Sequence, residues 1–195
     1  MERSSSELNT IPTVLVPLAQ GCEELEAITI TDLLTRAGIK VITAGLDDKV
    51  VVASRGMKLL PDKLLDDVVS DDFDMIVLPG GLPGADHLNN DSRIQTIVKR
   101  LAETNKYTAA ICAAPRVLAT AGILDGKHVT SFPGALEKFP VKNMIYEELP
   151  VVVDGYVITS RGPGTAIDFS LTLIDLLLGN EIRNEVEAGL QGVKN

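Results

Sequence analysis

Apolar residues in this chain come in short unbroken blocks, separated by longer stretches with a helical beat. Residues 14–18 (VLVPL), 75–78 (MIVL) and 108–112 (TAAIC) carry no charge. A strand with one wet face alternates, whereas a strand covered on both faces does not. These blocks therefore read as central strands of a parallel sheet. Each leads into a helical segment, over 23–37, 91–103 and 113–121 respectively, the second reached through a Gly/Pro turn. Gly38 fits a C-cap, and another strand is expected over 39–44.

Two places depart from strand–helix alternation. Residues 50–53 and 57–60 flank Ser54-Arg55-Gly56, and 151–153 and 156–159 flank Asp154-Gly155. Both read as hairpins, and Asp-Gly is the stronger turn signal. A last helix is expected over 165–178, with Thr165 and Asp168 at capping-box spacing. Its sequence, AIDFSLTLIDLLL, is apolar almost all round and should be well buried. The pattern predicts an α/β fold, a mostly parallel sheet with helices on both faces. No repeat or linker divides the chain, so 13–195 reads as one domain behind a flexible polar tail over 1–12. That tail lacks the hydrophobic core region of a signal peptide.

Composition narrows the partners. The 195 residues are 45% hydrophobic, enough for one well-cored domain. A net charge of −9 argues against nucleic acid or an anionic membrane as partner. No window approaches the ~18 apolar residues of a membrane span. Cys22 and Cys112 are the only cysteines, too few for a disulfide framework and suited to a reducing cytoplasm. The partner left to consider is a small molecule.

Cys112 ends a buried strand just before a helix, and ligands in open α/β sheets collect outside the carboxyl ends of strands. A helix start favours thiolate, and Ala113 and Ala114 permit a sharp nucleophile elbow with Pro115 in the first turn. The thiol is therefore expected to ionise below the free-cysteine range. The competing reading is a small buried hydrophobe. Glu26 shares a stripe with Ile30, Leu33, Leu34 and Ala37, which puts a carboxyl on the buried face of its helix. Burial beside a thiolate would keep it protonated, able to donate to sulfur. The alternative is a rotated helix with Glu26 paired to an arginine. Glu23 and Glu24 are expected to reach water at the helix start.

Residues 78–85 (LPGGLPGA) follow the second of the charge-free blocks, where glycines let backbone N–H groups approach a ligand closely, although Pro-Gly-Gly is also ordinary turn sequence. Residues 160–166 (SRGPGTA) look like a phosphate cradle but lack the P-loop lysine. His87 and His128 adjoin neither cysteine, so the sequence offers no zinc-ligand cluster. No metal or organic cofactor is called for.

Six motifs in order carry a resemblance: GCEELEA (21–27), AGIKV (37–41), SRG (54–56), VLPGG (77–81), AAICAAP (109–115) and SRGPGTA (160–166). With them the chain resembles the ThiJ/PfpI superfamily, within it the branch of the parkinsonism-associated protein deglycase and bacterial YajL. The resemblance implies one flavodoxin-like, three-layer domain of the class I glutamine amidotransferase-like kind. It implies Cys112 as reactive cysteine, Glu26 as its protonated partner, and backbone N–H groups near Gly81 and Ala113 as an oxyanion pocket. Gly80, Phe132 and Cys22 are further pocket candidates. Homodimers are usual in the family, which would bring Asp32, Arg55 and Arg161 into or near interface ion pairs. Phe132 stands where many glyoxalase-active relatives have histidine, as in the YajL-like branch, and Ala113 stands where the protease-like branch has histidine. High glyoxalase turnover and a Cys-His protease dyad are therefore not expected.

The expected function is a cofactor-free enzyme acting on methylglyoxal, glyoxal or early glycation adducts, with glycated protein side chains among its substrates. Its rival is a redox sensor or chaperone that uses oxidation of Cys112 without turnover. Cys22 is either a resolving thiol for Cys112 or a packing residue.

Overall fold

The computed structural model describes residues 10–192, so most of the tail expected over 1–12 lies outside the described residues. The chain begins with β1 (Thr13–Leu18), α1 (Glu24–Arg36), β2 (Lys40–Gly45), β3 (Val51–Val52), β4 (Lys58–Leu59) and β5 (Lys63–Leu64). Next come α2 (Leu65–Val68), β6 (Met75–Leu78), α3 (Gly84–Asn90), α4 (Ser92–Glu103), β7 (Tyr107–Ile111) and α5 (Pro115–Thr120). It ends with β8 (His128–Val129), β9 (Ile145–Tyr146), β10 (Val151–Asp154), β11 (Val157–Ser160), α6 (Ala166–Leu178) and α7 (Asn180–Gly189).

Seven strands form the main sheet in the order β10-β11-β7-β6-β1-β2-β5. Only the β10–β11 pairing is antiparallel. The charge-free blocks are its centre, and they are apolar throughout because successive residues feed opposite layers. Val14, Val16, Met75, Val77, Ala109 and Ile111 pack toward α1 and α6. Leu15, Ile76, Leu78 and Ala110 pack toward α2, α3, α4 and α5 on the other face. Strand β1 continues to β2 on one side and the chain then returns to β6 on its other side. The crevice beyond the carboxyl ends of β1 and β6 is therefore a topological switch point, the customary ligand position in such sheets.

Both hairpins form: β3 pairs with β4 as a separate ribbon, and β10 with β11 at the sheet edge. Helices α3 and α7 go beyond the expectation. The first is seven residues inside a segment read as turn, and the second follows the break at Gly179 (φ 92°). The helix expected over 113–121 is shorter, Pro115–Thr120.

The capping box expected of Thr165 and Asp168 does not form. The Thr165 hydroxyl instead bonds Gly162 O at 3.0 Å and Ser160 Oγ at 2.7 Å, locking the turn before α6. Helix α6 is also less enclosed than its composition suggests, because only one face meets the sheet. Phe169 is fully buried while Ile167 is 51% exposed.

That contrast gives a test. Phe169→Ala should cost about 3–5 kcal/mol of unfolding free energy by the usual cost of emptying an aromatic core site. Ile167→Ala should stay within about 0.5 kcal/mol. Urea melts of the two variants read both. Equal losses would mean that α6 does not sit on the sheet in this way.

Candidate active site

At the carboxyl edge of the sheet three backbone segments converge: the end of β1, the loop after β6 and the end of β7. Cys112 adopts φ 63°, a left-handed conformation rare for a residue with a Cβ. Two hydrogen bonds hold it there. Its N–H donates to Ser160 O and its carbonyl accepts from Phe132 N–H, both at 2.9 Å. The elbow expected from the sequence is present, with strain at the cysteine itself.

The loop after β6 can lie against that elbow only because it is glycine. A Cβ on Gly80 would sit 2.6 Å from Cys112 Cβ and 2.8 Å from Ile111 O. Gly80 N–H donates to Glu26 Oε2 at 2.7 Å, and Gly80 O accepts from Glu23 N–H at 2.9 Å. Gly81, in the left-handed region at φ 87°, and Ala113 each bring a backbone N–H to the Cys112 sulfur.

Glu26 is fully buried, as the stripe on α1 requires, and its partner is a backbone amide and not an arginine. Its other oxygen, Oε1, is buried with no hydrogen-bond partner among the described residues. Burial raises Glu26 to about 7, against the downward pull of Gly80 N–H and the Cys112 thiol. Burial also pushes Cys112 up, to about 12, and the facing Glu26 carboxylate adds to it. The N–H groups of Gly81 and Ala113 pull Cys112 the other way.

The low thiol pKa expected from the sequence is thus corrected: burial first, and the facing Glu26 carboxylate second, raise it. The sulfur is stripped of water and a carboxylate faces it, while α5 starts three residues beyond Cys112 and has only six residues. Such a pair holds one proton over a wide pH range and titrates as a unit. With the proton on Glu26 the repulsion vanishes and the acid can donate to sulfur.

The remaining candidates separate. Phe132 is half exposed at 51%, with its ring at the mouth of the site. A Cβ on Gly162 would lie 3.4 Å from the Phe132 ring and 4.0 Å from Cys112 Sγ. Cys22 is a correction: it is fully buried, and burial raises its thiol to about 11, so it lines no accessible pocket. Glu24 is another. It turns away from water and accepts from Arg55 N–H at 2.9 Å and Ser54 Oγ at 3.1 Å, fastening the β3–β4 turn to α1. Asp32 pairs with Arg36 of its own helix at 2.7 Å. Arg55 and Arg161 make no ion pair among the described residues, and Arg161 lines a cleft with Ser131 and Tyr146. Arg116, absent from the sequence reading, lies against this site through Ala113. Its signal was available: it is the one charge between Lys106 and Asp125.

A strained cysteine at a strand-to-helix elbow, faced by a buried carboxyl inside a flavodoxin-like sandwich, defines a class of α/β protein. The chain belongs to the DJ-1/PfpI family, whose model matches residues 12–176. It is 45% identical over 180 residues to protein dj-1beta of Drosophila melanogaster, covering 91% of this chain and 96% of that one. The crystal structure of that fly protein superposes with a TM-score of 0.90 at 42% identity, covering 95% of this chain and 100% of that one. Protein DJ-1 homolog A of Arabidopsis thaliana is 43% identical over 178 residues; the match takes in 90% of this chain but only 45% of that longer relative. The Caenorhabditis elegans protein named glutathione-independent glyoxalase DJR-1.2 is 35% identical over 173 residues, 89% of this chain and 91% of that one. Among the described residues no helix is long and apolar enough to cross a membrane.

The raised Glu26 pKa has a stability consequence. A folded-state value above the unfolded one favours folding below the ordinary carboxyl range, and that advantage is lost as pH rises through the folded value. Between the ordinary 4.5 and about 7, wild type should lose on the order of 3 kcal/mol relative to Glu26→Gln, at 1.36 kcal/mol per pH unit. Denaturant melts of both proteins across that range measure the difference. Parallel curves would place Glu26 in an environment where its charge costs nothing.

Proposed function

We propose that the protein is a cysteine-dependent, cofactor-free enzyme acting on reactive carbonyls: methylglyoxal, glyoxal or early glycation adducts. The observation that carries this reading is Glu26. A fully buried carboxyl with one oxygen held by Gly80 and the other unpartnered, raised to about 7 beside a cysteine, is a group built to hand over a proton near neutral pH. The worm relative's glyoxalase name supports the reading without extending to this chain's substrate.

The reaction follows from that placement. Glu26 takes the Cys112 proton as Sγ bonds to the aldehyde carbon, and then passes it to the carbonyl oxygen to give a hemithioacetal. The N–H groups of Gly81 and Ala113 stabilise the negative charge that develops on oxygen during this step. Glu26, now a carboxylate, removes the C1 proton and returns it to C2. The hydroxyl proton passes from the oxygen on C1 to that on C2, leaving a lactoyl thioester. Water splits the thioester, releasing lactate and restoring the pair; glyoxal gives glycolate by the same route. Phe132 supplies no proton donor, so turnover is slow.

One observation favours a second reading. Cys22 is buried with a raised thiol, a poor resolving group, so a sulfenic acid formed on Cys112 by peroxide finds no thiol partner, and a second peroxide oxidises it to sulfinate with release of water. In that case the protein is an oxidation sensor or redox-regulated chaperone. We further propose that a second copy of the chain covers the exposed apolar residues Leu25 and Ile28 of α1 and Val52 and Met57 of the hairpin, with Arg55 at the rim. The cytoplasm is the compartment that suits two free thiols.

Lactate release from methylglyoxal, with buffer amines and free thiols controlled, decides between the readings. Wild type should release lactate, Cys112→Ser none, and Glu26→Gln at least about a hundredfold less, the usual weight of a general acid–base group. Wild-type release no faster than Cys112→Ser leaves the sensor reading. Sedimentation of Ile28→Asp should show monomer where wild type shows dimer; an unchanged dimer would place the interface elsewhere.

A further inference from the structure

We infer that Arg116 is a positioning residue that holds together the walls around Cys112. The inference rests on the reading of Cys112 as the reacting group. The Arg116 side chain is only 12% exposed, and a cation so placed needs compensation. It has three partners. Nη1 donates to Asp86 Oδ1 at 2.5 Å, Nε donates to Ala113 O at 2.9 Å, and the guanidinium lies 5.2 Å from the centre of the Phe139 ring.

Each partner belongs to a different wall of the site. Ala113 supplies one of the two N–H groups aimed at Cys112 Sγ, and Arg116 fixes that residue by its carbonyl. Asp86 sits on α3, which continues directly from the glycine loop, with Ala85 N–H donating to Gly81 O at 2.8 Å. Gly81 supplies the other N–H. Phe139 closes the turn segment that opens at Phe132, whose ring lies at the mouth of the site.

One guanidinium therefore ties both anion-stabilising N–H donors and the Phe132 segment into a fixed arrangement. Arginine alone among side chains can do this, with a planar fork for carboxylate and carbonyl and a flat face for the ring. Lysine keeps the charge but not the simultaneous contacts. A small loss of position matters here because donors to a developing anion act only when prealigned.

The test reads Cys112 directly, by its rate of alkylation with iodoacetamide as a function of pH. In Arg116→Met the thiolate should appear about one pH unit higher, which is about tenfold slower alkylation at fixed pH below the transition. Arg116→Lys should fall between Met and wild type. Asp86→Asn should shift the profile in the same direction, and should add little when combined with Arg116→Met. Lys106→Met removes a comparable ion pair, 2.7 Å to Asp74, at the opposite edge of the sheet and should leave the profile unmoved. Where Arg116→Met does not fold, the order wild type, Lys variant and Asp86→Asn carries the same judgement. A folded Arg116→Met or Lys variant with the wild-type profile overturns the inference, as does an equal shift in Lys106→Met. Alkylation needs no carbonyl turnover, so absent lactate release would defeat the proposed reaction while this result still judged Arg116.

Discussion

Glu26 has no exposed surface, and an isolated carboxylate in such a place costs several kcal/mol to strip of water. That cost organises the carboxyl edge of the sheet. The first helix must enter at an angle that buries position 26, the loop after β6 must come close enough to give it an amide, and β7 must end beside it. Closeness of that order excludes side chains, which is why glycine stands at position 80. The carboxyl is then left with one satisfied oxygen and one proton to place, and the nearest anion to share it with is sulfur. Structure and chemistry here have a common origin in one desolvated acid.

Much of this was legible because the signals were strong and local. Charge-free blocks at 14–18, 75–78 and 108–112 can only be strands fed from both layers, and they form the sheet centre. The stripe from Glu26 to Leu34 needed only helical geometry to place the acid inward. The hairpins announced themselves through Ser-Arg-Gly and Asp-Gly. What escaped depended on partners far along the chain. Glu24 sits in the first turn, where dipole arguments send acids to water, yet a hairpin thirty residues later captures it. Thr165 had capping spacing, but its hydroxyl found Gly162 and Ser160 first. The low thiol pKa does not hold because the sulfur is buried and faces a carboxylate, both supplied by segments far along the chain, and the short α5 begins too late to offset them.

The site is also selective through what it lacks. The mouth is a phenyl ring and not an imidazole, so on the proposed reading proton movement would be left to the one interior acid. Cys22, although it follows β1 at the same edge of the sheet, is sealed in the core and contributes packing. On the two readings proposed above, a thiol without a resolving neighbour would either turn over carbonyls or be oxidised further. The same N–H donors serve either outcome, since both place oxygen next to Cys112.

The groups that define Cys112 are scattered along the chain: Glu26, Gly81, Ala113, Phe132 and Ser160. Ser160 lies on β11, the last strand among the described residues. A ribosome-bound chain that stops before it holds Cys112 with no acceptor for its amide, and only one of the two hydrogen bonds that fix its left-handed turn can form. The full set of groups around Cys112 therefore comes together only once the chain has been made through β11.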